Sequence, residues 1–173
     1  MDLRKDLVDE ASKWIGVTEK GKDNCGPEVE MFQKAVDGKA SGESWCLAFV
    51  QYCLDTVLLR HGLEKELPQT EHCMTFWNQT PEARKSQSPE PGDIIIWNFA
   101  GSASGHAGIV TGVSKDGKLL YTIEGNTGPE ASVNREGDGV YKKVRNRKGS
   151  SRMKVVGFVR PFTGEKGDGN PVS

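Results

Sequence analysis

Apolar residues recur at three- and four-residue spacing over residues 2–15, where Leu3, Leu7, Val8, Ala11, Trp14 and Ile15 outline one helical face. Gly16 is placed to stop that helix. A polar, glycine-punctuated loop covers 17–26. Pro27 suits a first helical position, and Val29, Phe32, Gln33 and Val36 mark a short helix that ends before Gly38. Leu47, Phe49, Val50, Leu54, Val57 and Leu58 predict a buried helix running to about Arg60, with Gly62 beyond it. Ser44 is its expected N-cap, with Glu43 and Trp45 as alternatives. A further helix is expected around 70–80, capped by Thr70 and carrying Met74, Phe76 and Trp77. Residues 81–92 read as a connector rich in Pro, Ser and charge.

After Pro91-Gly92 the period changes. Asp93-Ile94-Ile95-Ile96-Trp97 is a β-branched run typical of a buried strand. A flexible loop is expected over 101–105, then strands over His106–Val113 and Leu119–Asn126, joined by the Asp116-Gly117 turn. A polar loop over 127–139 precedes strands at Val140–Arg145 and Val155–Arg160. Helices come first and antiparallel strands second, which is the α+β signature. The expected architecture packs N-terminal helices on one side of a five- to six-stranded antiparallel sheet. One domain is expected over 1–163, with a disordered Gly- and charge-rich tail over 164–173.

Composition changes this picture little. With 173 residues, 35% apolar and 27% charged, the chain is long enough for a real core. A net charge of −1 gives no global field to attract nucleic acid. Positive charge gathers late, at Lys142, Lys143, Arg145, Arg147, Lys148, Arg152 and Lys154. That cluster reads either as a solvated hairpin or as a docking face for an anionic polymer. The first residues lack the apolar region of a secretory signal peptide, and no apolar run approaches a membrane span. Synthesis in the cytoplasm is therefore expected, and work outside it would need dedicated delivery or lysis.

The candidate chemistry starts at Cys46, where a loop meets the buried helix. A cysteine in the first turn sits beside free backbone N–H groups that lower its pKa. The alternative is a buried structural cysteine. Cys53 lies seven residues on, about 10 Å along a helix at ~1.5 Å per residue, so a Cys46–Cys53 disulfide is excluded and Cys53 reads as core. None of the four cysteines forms a C-x-x-C pair, which argues against zinc. Of three histidines, His61 and His72 read as solvent-facing. His106 opens an apolar strand after a glycine-serine loop, so its polar ring needs a partner. Glu124 and Asn126 share one face of the next strand. The tight turn sets Ser114 opposite Leu119, which brings His106 within a residue or two of Asn126. A carboxylate or amide could then hold one imidazole nitrogen and leave the other for Cys46, the nucleophile–base–orienter logic of acyl-transfer enzymes. Thr122 is the alternative structural partner.

Four segments in order carry a resemblance: Trp45-Cys46-x-Ala48-Phe49-Val50, Pro91-Gly92-Asp93-Ile94-Ile95-Ile96-Trp97, Gly105-His106-Ala107-Gly108-Ile109-Val110 and Ile123-Glu124-Gly125-Asn126. The set resembles the CHAP amidase/endopeptidases of the papain-like NlpC/P60 cysteine peptidases. The resemblance implies a papain-like fold and hydrolysis of a peptidoglycan amide, either muramoyl–L-alanine or a bond within the stem peptide or cross-bridge. It implies Cys46 as nucleophile, His106 as general base, Glu124 as the group that orients His106, and Asn126 as an auxiliary beside it. The Asp37–Glu43 loop is too poor in carboxylates for the calcium that some phage members bind, so no metal or cofactor is expected. The expected partner is peptidoglycan, acted on at the cell wall by a monomer, as a phage-type lysin or as a delivered toxin with an immunity protein. Another thiol acyl-transfer hydrolase on the same fold, or a non-catalytic wall-binding module, are the competing readings.

Overall fold

The apolar stripes form four helices in the computed structural model, which describes residues 1–128 and 137–162. Part of the expected polar loop over 127–139 and the whole tail from residue 164 lie outside these residues. The helix α1 spans Leu3–Ser12, and the Asp2 side chain caps it by accepting the Lys5 N–H at 2.9 Å. It is shorter than the 2–15 span its pattern predicts. Gly16 leaves the helical region at φ +93° and donates to the Val140 carbonyl, while the Val17 carbonyl accepts from the Val140 N–H, so sheet pairing takes the end of the stripe. The helix α2, Pro27–Asp37, begins with its proline and ends at left-handed Gly38, as the sequence predicts. The helix α3, Cys46–Arg60, is capped by Trp45 rather than Ser44. The helix α4, Cys73–Gln79, is shorter than the expected 70–80 segment and is capped by His72.

The second half forms a six-stranded antiparallel sheet. Its strands are β1 (Lys85–Ser86), β2 (Ile94–Phe99), β3 (Gly105–Val113), β4 (Leu119–Thr127), β5 (Gly139–Asn146) and β6 (Met153–Val159). Their order across the sheet is β1-β6-β2-β3-β4-β5. The arrangement is α+β with N-terminal helices, consistent with a papain-like fold. The two-residue β1, inside the segment read as a connector, pairs with β6. It has no periodicity of its own and exists only through that partner.

Both faces of the sheet are covered. Ile94, Ile96, Ala107, Ile109 and Ile123 pack with α1, α2 and α3 in the larger core. Ile95, Trp97, Phe99, Val110, Leu120, Met153 and Phe158 form a second cluster on the opposite face. This explains why β2 is apolar without alternation. The Pro91-Gly92-Asp93 turn fixes α1 against the sheet. A Cβ at Gly92 would lie 2.6 Å from the Arg4 Cβ, and Arg4 donates to the fully buried Asp93 carboxylate at 2.7 Å. That segment is therefore a structural clamp. Among the described residues, no helix is long and apolar enough to cross a membrane.

Gly125 lets the start of α3 lie on the sheet. A Cβ there would meet the Phe49 Cβ at 2.8 Å and the Trp45 ring at 2.9 Å. Trp45 is itself fixed, fully buried, stacked on Phe32 and donating from its indole to Glu19 at 2.7 Å. Gly125→Ala is expected to lower stability by about 1–3 kcal/mol through overpacking, measured by urea denaturation.

Candidate active site

Cys46 is the first residue of α3, so its side chain emerges where the helix has free N–H groups. It reaches the mouth of β3, whose first turn of sheet carries His106. Strand alternation places Ala107 and Ile109 toward the helices, and His106, Gly108 and Val110 toward the second cluster. The thiol arrives from one layer and the imidazole from the other, and they meet at the end of the sheet.

The β3–β4 register pairs Ile109 with Ile123 and Val110 with Thr122, and slips by one residue before Gly112 pairs with Tyr121. The bulge moves His106 one step from the position that the turn alone predicts. Glu124 then lies diagonally across from His106 on the same face, and its carboxylate binds the His106 Nε2 at 2.8 Å. Gly108 sits directly opposite Glu124. A Cβ there would come within 2.7 Å of the Glu124 Cγ, so the glycine makes the space the carboxylate needs. With Nε2 occupied, Nδ1 is the nitrogen left for the sulfur.

Glu124 is fully buried, and three further hydrogen bonds hold it. Thr122 Oγ1 donates at 2.5 Å, and the Arg145 guanidinium spans both oxygens, with Nε donating at 2.9 Å. Burial works most strongly against its charge. Arg145 and His106 together outweigh that, and its pKa falls to about 2. Burial likewise opposes charge on His106, but hydrogen bonds and opposite charges from Cys46 and Glu124 push its pKa up to about 9. Trp97 forms a wall beside it, its ring stacked on the imidazole at 5.5 Å between centroids and on its other contact lying 5.7 Å from the Arg145 guanidinium carbon. The Cys46 thiol is held well below the ordinary cysteine value, first by a hydrogen bond from Cys73, then by His106 and the Ala107 backbone N–H, against burial. These shifts favour a Cys46 thiolate beside a His106 imidazolium, with the Glu124 carboxylate ionised against the Arg145 guanidinium. Cys53, two turns deeper and fully buried, has its pKa raised by desolvation.

Asn126 is brought to the same cleft but bonds elsewhere. Its backbone takes φ +51°, and in the amide orientation that satisfies both neighbours its nitrogen donates to the Gly137 carbonyl at 2.8 Å and its oxygen accepts from the Trp45 N–H at 3.3 Å. It thereby ties the end of β4 to the start of α3. The cleft, about 420 Å³, is lined by Glu43, Glu71, His72, Ser104, His106 and the two sulfurs among others. His72 is exposed, as the sequence predicts, yet lies on this rim. His61 is not simply solvent-facing: it binds Asp6 at 2.7 Å and ties α3 to α1.

Two contributors are missed by the sequence reading. Arg145 stands in the late basic cluster, read as surface or docking charge, yet Lys143 and Arg145 are buried while Val144 between them is 55% exposed. The inversion of polarity along β5 follows from the charge it must serve, since Lys143 also turns in to donate to the Gly128 carbonyl at 2.6 Å. The second is Cys73, whose sulfur lies 3.8 Å from that of Cys46. No motif joins two cysteines so far apart in sequence.

The Glu124 carboxylate, depressed from an ordinary value of 4.5, adds stability that is present above that pH and lost as pH falls toward about 2. Arg145→Met removes its main counter-charge. The variant is expected to lose about 3–5 kcal/mol near neutral pH, with the deficit shrinking on acidification, read by urea denaturation across pH.

A search of curated proteins returns no match to the chain. Among solved structures it is similar in fold to the one described as "The crystal structure of Ly7917", with a TM-score of 0.52 and 16% identity. The alignment covers 91% of this chain and 62% of that one, so the chain spans about three-fifths of that neighbour's length. The CHAP domain family model matches residues 38–126, just over half of the 173 residues, from the loop before α3 to the end of β4. The ordered cysteine, histidine and carboxylate segments all lie within that match, and the chain belongs to the CHAP domain family, whose members have peptidoglycan-hydrolase-type amidase or peptidase activity.

Proposed function

We propose that this protein hydrolyses an amide bond of peptidoglycan through a covalent thioester on Cys46. The observation that carries the reading is an arrangement in one cleft: the Cys46 thiol beside the His106 imidazole, whose far nitrogen is held by the buried Glu124 carboxylate. Cys46 attacks the amide carbonyl. The sulfur–carbon bond forms as the carbonyl electrons move onto oxygen, and the Cys46 backbone N–H, free at the first turn of α3, is one donor to that oxyanion. His106 gives its Nδ1 proton to the leaving amine, the carbon–nitrogen bond breaks, and the acyl group remains on sulfur. His106, now neutral, takes a proton from water, which attacks the thioester and regenerates the thiolate.

Glu124 acts through His106. It fixes the ring's orientation and stabilises the imidazolium, and Arg145 and Thr122 keep it ionised and still. Asn126 acts further back, holding the N-terminus of α3 over the end of β4. The bond cut is the muramoyl–L-alanine amide or one within the peptide moiety. The reading extends to a lysin or a delivered wall-degrading toxin, with the new termini in digested wall material naming the bond.

Turbidity of purified cell walls, with mass spectrometry of the released fragments, tests the proposal. Wild-type protein is expected to clear walls and generate new amine termini, and Cys46→Ala to fall to background. His106→Ala is expected to lose about 10²- to 10⁴-fold, the usual contribution of a positioned acid–base group. Clearing by Cys46→Ala at the wild-type rate would refute the nucleophile, and inert wild-type protein would point to another acyl substrate.

The pH profile supplies a separate check. The productive form needs the proton on His106, so kcat/KM is expected to hold through neutral pH and fall as pH rises through about 9. A fall centred near the ordinary imidazole value would mean that the ion pair is not the reacting state.

A further inference from the structure

Cys73 opens α4 as Cys46 opens α3, and the two thiols face one cleft. Both residues are about 5% exposed, and their sulfurs lie 3.8 Å apart. A disulfide needs about 2.05 Å between sulfurs, so closure requires each side chain to move by only about 1 Å. The bond would join residues 27 apart, across the segment that links α3 to α4. The other cysteines have other surroundings. Cys53 is fully buried two turns along α3, and Cys25 lies in the loop before α2. Gly105 keeps the space beside Cys73 open, because a Cβ there would lie 2.9 Å from the Cys73 Cβ.

The two sulfurs differ in character. Their hydrogen bond draws the Cys46 pKa down and, with burial, pushes the Cys73 pKa up, which favours Cys46 as the thiolate of the pair. A thiolate at the mouth of a cleft is the form that peroxides oxidise, and a neighbouring thiol decides what becomes of the product.

We propose that Cys73 is the resolving thiol for Cys46, making the cleft a reversible oxidation site for hydroperoxides. The Cys46 sulfur attacks the peroxide, the oxygen–oxygen bond breaks, and Cys46 becomes a sulfenic acid while the alkoxide or hydroxide leaves and takes up a proton. The Cys73 sulfur then attacks the Cys46 sulfur, its proton leaves with the sulfenic oxygen as water, and the Cys46–Cys73 disulfide forms. A dithiol reductant restores both thiols by exchange and is itself oxidised to a disulfide. While the bond stands, the sulfur of Cys46 has no lone thiolate and the cleft is closed to acyl transfer. Cys73 therefore protects Cys46 from the irreversible sulfinic acid. The inference concerns the thiols themselves and holds whichever acyl substrate the cleft takes.

The test treats the reduced, desalted full-length chain with graded hydrogen peroxide and reads intact mass and non-reduced peptide maps, with dithiothreitol added afterwards. Wild-type protein is expected to lose the mass of two hydrogens, to yield a peptide linking Cys46 to Cys73, and to regain both thiols with dithiothreitol. Cys73→Ser is expected to accumulate oxygen adducts on Cys46 that dithiothreitol does not fully reverse. A wild-type map with Cys46 as sulfinic acid and Cys73 as free thiol overturns the proposal, as does linkage of Cys46 to Cys25 or Cys53. The wild-type map decides even if the serine variant does not fold. Wall clearing, followed in parallel, separates this inference from the catalytic one: a linked peptide in protein that still clears walls would leave the disulfide standing and remove Cys46 from catalysis.

Discussion

The ionised carboxylate of Glu124, buried with no exposed surface, is the constraint on which the site depends. A carboxylate taken out of water is costly unless its oxygens are fully hydrogen-bonded and its charge is met. Here the cost sets the composition of the surrounding strands. Arg145 turns inward from β5, Thr122 donates from β4, the strand of Glu124 itself, Gly108 gives up its side chain, and His106 completes the shell. The same constraint runs outward through His106 to the Cys46 sulfur, whose pKa it lowers, and from there to the Cys73 thiol. Each charge is stable only because its neighbour is present, and burial opposes every one of them taken alone.

The two covered faces of the sheet explain how such a chain of groups can assemble. The helix face supplies a conventional apolar core, and the opposite face supplies a smaller one in which the ionic groups are embedded beside Trp97. Cys46 belongs to the first layer and His106 to the second. They meet only because the sheet ends there. Gly125 admits α3 against β4, and left-handed Asn126 turns the strand away while its amide holds the Trp45 N–H. The same geometry places α4 at the mouth of β3, which is why a second thiol stands beside the first.

Much of the architecture is legible because periodicity reports burial directly. The α2 helix has both of its signals, Pro27 and Gly38, and its ends match. The Asp116-Gly117 turn makes β3 and β4 neighbours, and alternation puts Glu124 and Asn126 on one face of β4. The failures fall where a partner outside the local sequence decides. The α1 stripe continues to Ile15, but pairing of Val17 with Val140 ends the helix at Ser12. The β1 strand has two residues and exists only against β6. A bulge near Thr111 shifts the register by one, which spacing from the turn cannot show.

Residue order alone determined the α+β division, the helix that carries Cys46 in its first turn, and the pairing of the histidine strand with the carboxylate strand, because helical and strand periods and turn chemistry act over a few residues. Tertiary structure decided which charges lie inside. On β5, Lys143 and Arg145 read as surface charge and are buried, while Val144 between them is exposed. Likewise Cys73 lies far from Cys46 in sequence and beside its sulfur in space. Hydrophobic pattern registers the burial of apolar groups. It is blind to a buried charge, whose position is set by a counter-charge arriving from a strand that closes later in the chain.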